Sequence, residues 1–102
     1  MSILEPKNIF DDQKFKTDGP AKDKVYISEK FKVMRISLQK GLEIEPHDGS
    51  HPAVFLVLKG KAVFPTASGE VELGVNDYIA YDETEPRGIK SLEDLTVLVI
   101  RD

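Results

Sequence analysis

The sequence predicts a single all-β domain, a sandwich or barrel with no substantial helix. Three observations carry this. No segment of ten or more residues repeats apolar positions at the helical period. Short apolar or alternating runs recur along the chain instead. Turn signals separate them, at Lys40-Gly41, Asp48-Gly49, Lys59-Gly60, Ser68-Gly69 and Val75-Asn76-Asp77.

In chain order the runs predict strands over Lys24–Ser28, Phe31–Gln39, Leu42–Glu45, Ala53–Lys59 and Lys61–Pro65. They continue over Glu70–Leu73, Tyr78–Tyr81, Arg87–Ser91 and Leu95–Arg101. Pro20, Pro46, Pro52, Pro65 and Pro86 lie near strand ends, where no ladder N–H is needed. Ala53–Leu58 and Leu95–Ile100 are apolar on both faces, so both faces are expected to be buried, one inside a barrel and one against a second layer. For so short a chain that layer is expected to be a second copy, giving a homodimer.

Residues 1–23 read as an N-terminal arm and 24–102 as the barrel domain. Ile9, Phe10 and Phe15 stand among charged residues before Thr17-Asp18-Gly19-Pro20. The arm is either an unpacked tail or a segment across a sheet edge. Its apolar residues favour docking, with a partner subunit as one acceptor.

Composition narrows the function classes. The 102 residues are 40% hydrophobic and 31% charged, as in an ordinary one-domain globular chain. A net charge of −4 without a basic cluster argues against a nucleic-acid partner. No run of 18 apolar residues exists, so no membrane span is expected. The absence of cysteine excludes disulfides and thiolate metal sites. With no basic-then-apolar leader pattern at the start, the expected location is the cytoplasm.

The densest chemistry lies in Gly41–Gly60, which holds both histidines of the chain, His47 and His51, around Asp48-Gly49-Ser50. This stretch resembles the first motif of the cupin superfamily, G-x5-H-x-H-x3-E-x6-G, particularly as it occurs in small single-domain cupins. Gly41, His47 and Gly60 hold three of its positions, while Gly49 stands at the second histidine and Ala53 at the glutamate. The second motif, G-x5-P-x-G-x2-H-x3-N, aligns best from Asn76, an amide residue that tolerates the left-handed region. Asp82, Thr84, Arg87 and Ser91 then replace the proline, glycine, third histidine and asparagine. A second register from Gly74 puts Glu85 at the histidine. The resemblance covers roughly residues 30–101 and implies a double-stranded β-helix, or jelly-roll, barrel.

Catalytic cupins use three histidines and a carboxylate to hold an ion such as iron, manganese, nickel or zinc. Position matching leaves only His47 of those four, so the resemblance implies a barrel without the usual metal. His51 is either a solvated hairpin residue or, by strand parity with Ala53, an inward group completing a His47, His51 and Glu85 site. Arg87 either pairs with Glu83 or Glu85 at the surface, or joins His47 in gripping a carboxylate or phosphate. Phe55 and Tyr81 either line that cavity or pack as ordinary core.

Three readings follow. The first is a small cupin that binds a small molecule, apolar or anionic, or serves as a structural or sensing module, without a metal cofactor; enzyme activity is not expected from it. The second is a metal-dependent dioxygenase, isomerase or decarboxylase using His47, His51 and a carboxylate. The third is a module whose role is dimerisation.

Overall fold

A computed structural model describes residues 4–49 and 51–102, and its strands follow from the runs above. β1 spans Ala21–Ile27, β2 Lys32–Leu38, β3 Glu43–Asp48, β4 Ala53–Lys59 and β5 Ala62–Thr66. β6 spans Gly69–Leu73, β7 Tyr78–Tyr81, β8 Pro86–Ser91 and β9 Leu95–Arg101. Among the described residues there is no helix. The strands form a five-stranded sheet, β1-β2-β9-β4-β7, facing a four-stranded sheet, β3-β8-β5-β6. All pairings are antiparallel, and the whole is a jelly-roll barrel.

Period-two alternation sorts the side chains. Along β4, Ala53, Phe55 and Val57 are buried inside, while Val54, Leu56 and Leu58 face out and are only half-buried. Phe55, Phe64 and Tyr81 meet edge to face, with centroids 6.2 Å apart for Phe55–Phe64 and 5.5 Å for Phe55–Tyr81. Leu38, Val57, Ala62, Leu95 and Val97 close the interior around Phe64.

Two turns depend on backbone that most residues resist. Gly60 has φ +88°, and a Cβ there would collide with the backbone oxygen of Asp94. Asn76 has φ +74°. Its N–H donates to Val57 O at 2.8 Å, which ties the turn before β7 onto β4.

In the single chain the inner faces of β4 and β9 are buried and the outer faces are partly open. Leu98 is half-buried and Ile100 is 39% exposed, because the arm covers only one end of the outer face. Gln13 Nε2 donates to Ser37 Oγ at 2.9 Å and Thr96 Oγ1 at 2.6 Å. Arg35 Nη1 donates to Ile9 O at 2.9 Å and Asp11 O at 2.8 Å, and its Nη2 meets Asp23 Oδ2 at 2.8 Å. These contacts bind the arm to its own barrel. They also give partners to the buried hydroxyls of Ser37 and Thr96 and to both terminal nitrogens of Arg35, whose Nε is left without one among the described residues.

Arg35→Met is therefore expected to free the arm. Limited proteolysis should cut residues 9–20 at least several-fold faster in the variant, with the barrel left resistant. Equal cutting rates would show that the arm is held by something else.

Candidate functional site

The candidate site lies inside one end of the barrel. β3 and β8 pair with Ile44 opposite Ile89 and His47 opposite Arg87. A bulge separates the two pairs. At that bulge Pro46 lacks an N–H, and Gly88 lies so close to Ile44 O and Pro46 that a Cβ would clash. The cross-strand placement of His47 and Arg87 matches the motif register that begins at Asn76. Glu85 falls instead in the turn before β8, where its Oε1 accepts from Asp82 N–H at 2.8 Å.

A cavity of about 430 Å³ opens beside this pair. Its apolar wall is Met34, Ile36, Ile44, Phe55, Ile89 and Val99. Lys22, His47, His51, Arg87 and Arg101 supply the ionisable groups. No described Asp or Glu lines it, although the chain as a whole is acidic. The site is thus a local concentration of positive charge over an apolar floor.

Arg87 is the best-anchored member. It is only 7% exposed. Its Nη2 donates to Asp82 O at 2.8 Å, and its Cζ stands 5.3 Å from the centroid of the Tyr81 ring, a cation–π arrangement. Its Nε is buried with no partner among the described residues. It forms no ion pair with Glu83 or Glu85, so the surface-pair alternative does not describe it. The guanidinium lies against Gly49, where a Cβ would occupy the same space. Thus the residue at the third motif histidine fills the room above the residue at the second.

The remaining expected residues divide. His47 lines the cavity, with Nδ1 3.2 Å from Glu45 O. His51 also lines it, half exposed, with Nδ1 3.1 Å from Asp102 Oδ1. Phe55 lines the apolar wall. Tyr81 does not line the cavity; it supports Arg87 from beneath. Lys22 and Arg101 were not singled out from sequence. A signal existed: Arg101 shares parity with the inward Val97 and Val99, and Lys22 pairs with the inward Ile36.

The usual donor set for a cupin metal is not assembled here. Its four positions hold His47, Gly49, Ala53 and Arg87, and the cationic guanidinium of Arg87 lies against Gly49, at the second histidine's position. Among the described residues no three His, Cys, Asp or Glu side chains converge as ligands, and His47, His51 and Glu85 form no such group. These residues do not fit the family's ion.

Tyr81 also fixes the alkaline behaviour of the site. Its hydroxyl donates to Pro65 O at 2.8 Å. Burial pushes its phenol from the ordinary value of 10.0 up to about 12, against a lowering by Arg87 and with a smaller raising by Glu85. The folded state holds this proton more tightly than the unfolded state. Its contribution to stability is therefore intact below pH 10 and is lost as the pH rises through about 12. Tyr81→Phe should lower stability by about 1 kcal/mol at pH 7, through the lost hydrogen bond. It should also flatten the loss of stability above pH 10, measured by urea unfolding at pH 7 and in the alkaline range. An unchanged alkaline slope would contradict this account.

Comparison with known proteins agrees with the fold. No family model matches the chain, and no curated sequence is similar to it. Solved structures are. An RmlC-like cupin from Desulfovibrio desulfuricans superposes with a TM-score of 0.86 at 20% identity, over 97% of this chain and 96% of that one. A cupin superfamily protein from Desulfitobacterium hafniense DCB-2 gives 0.84 at 14% identity, over 98% and 92%. The DMSP lyase DddQ from Ruegeria pomeroyi DSS-3 gives 0.74 at 16% identity, over 81% of this chain and 46% of that longer one. The chain has the cupin fold, as the motif resemblance implied, and this fold hosts both a lyase and proteins named for the fold alone.

Proposed function

We propose that this cupin-fold chain binds a small anionic molecule in its barrel, with Arg87 and His47 as the gripping groups and without the metal that catalytic cupins use. The supporting observation is the buried guanidinium of Arg87. It lines a cavity free of described carboxylates and retains a buried N–H without a partner. A buried cation of this kind is stabilised by an anion that can take charge-assisted hydrogen bonds.

The test combines two measurements on purified protein. Elemental analysis, with and without added iron, manganese, nickel and zinc, is expected to find no near-stoichiometric metal. Thermal-shift screening with inorganic phosphate and simple carboxylates is expected to raise the melting temperature, and the shift should vanish in Arg87→Gln. A shift that survives the substitution sinks the Arg87 assignment. Stoichiometric metal that disappears in His47→Ala replaces this reading with the metal-dependent enzyme.

The outer face of the five-stranded sheet supports the homodimer as part of this proposal. Half-buried Val54, Leu56 and Leu98 and exposed Ile100 form an apolar strip there. Sedimentation velocity at micromolar concentration should show a dimer that Ile100→Glu dissociates. A monomer at every concentration would end the dimer proposal and leave the cavity assignment standing.

A further inference from the structure

We infer that the cavity selects an amphipathic anion, a carboxylate with an apolar body, over a hydroxylated one such as a sugar acid; this rests on the anion reading above. Two sets of residues carry the inference. Arg87, Lys22 and Arg101 provide charge, and the imidazoles of His47 and His51 provide hydrogen-bonding groups, for a single anionic head. The rest of the wall is Gly49, Ala53 and Gly88 with the side chains of Met34, Ile36, Ile44, Phe55, Ile89 and Val99, none of which side chains can donate or accept a conventional hydrogen bond.

The contrast between the two decides the ligand class. A ligand whose head takes up the charged groups lays the rest of its body along those six side chains. Each hydroxyl stranded against them loses its water without a replacement partner, lowering affinity roughly fivefold to a hundredfold. A phenyl or alkyl body instead leaves water for a surface of its own kind. Ala53 stands where the family carries glutamate, so no carboxylate opposes the head from that position. A volume of about 430 Å³ admits one such molecule.

Calorimetric titration of the full chain with three probes tests this. The probes are 4-phenylbutyrate, its uncharged counterpart 4-phenylbutanol, and gluconate. The acid is expected to bind at least tenfold more tightly than either of the others. Met34→Gln, which keeps the shape of the wall and adds an amide, should weaken 4-phenylbutyrate several-fold and leave inorganic phosphate unchanged. The melting temperature of the variant confirms its folding, and Ile36→Thr serves in its place if it does not fold.

Each other result discriminates. Gluconate binding as tightly as 4-phenylbutyrate overturns the amphipathic selection and leaves the anion reading intact. So does phosphate binding, lost in Arg87→Gln, with no binding of 4-phenylbutyrate. The alcohol matching the acid refutes the anion reading itself. Absence of binding by all probes and by phosphate refutes both.

Discussion

Arg87→Gln is expected to weaken anion binding roughly tenfold to a hundredfold, the scale of one or two charge-assisted hydrogen bonds worth about 1.5–3 kcal/mol. Glutamine keeps a polar head of similar reach but removes the charge and the planar fork. Arg87→Lys should recover only part of the loss, because an ammonium restores charge without bidentate geometry. The fold itself should tolerate the glutamine. The guanidinium rests on Gly49 and Tyr81 and has one backbone bond, to Asp82 O, and an amide avoids leaving a buried, partly satisfied cation. Titration calorimetry at fixed salt reads the affinity change, and the melting temperature reads the fold. Equal affinities in the two proteins would remove Arg87 from the site.

Phe64→Ala is expected to lower stability by about 3–5 kcal/mol. Phe64 is fully buried on β5 and packs edge to face on Phe55, so truncation opens a void between the two sheets that neither can collapse to fill. A domain of this size has only about 5–15 kcal/mol in total. Urea unfolding should show the midpoint falling sharply. The cavity wall should loosen with it, since Phe55 loses the ring that holds it from behind. Phe64→Leu should restore most of the stability. A change below about 1 kcal/mol for the alanine variant would mean that the two sheets do not meet at this ring.

The strands were legible where the chemistry of packing is local. β4, β7 and β9 run over the same residues in the sequence reading and in the structure, because each is an apolar run cut off by glycine, asparagine or charged turns. β1 begins earlier than expected, at Ala21, since Ala21-Lys22-Asp23 carries no apolar signal and is ordered by pairing with β2. β3 runs past Pro46 to Asp48 because its bulge opposite Gly88 removes the need for the missing N–H.

At the site, motif spacing put Arg87 at the third histidine position, and the pairing of β3 with β8 brings it opposite His47. The spacing could not show that the guanidinium lies on Gly49 or over the Tyr81 ring, because a side-chain rotamer is chosen by surroundings that come here from another strand and two loops. The arm illustrates the same limit. Its Ile9 and Phe15 are half-buried, as apolar residues suggest, while the polar contacts from Gln13 and from carbonyls that accept from Arg35 carried no sequence signal.

The most direct measurement is a crystal structure of the protein grown with 4-phenylbutyrate or phosphate and a trace of divalent metal. The account predicts an anion oxygen within hydrogen-bond distance of the Arg87 guanidinium, with the body of the acid, where present, against Phe55 and Met34. An ion coordinated by the imidazoles of His47 and His51, with Arg87 turned away, would contradict it.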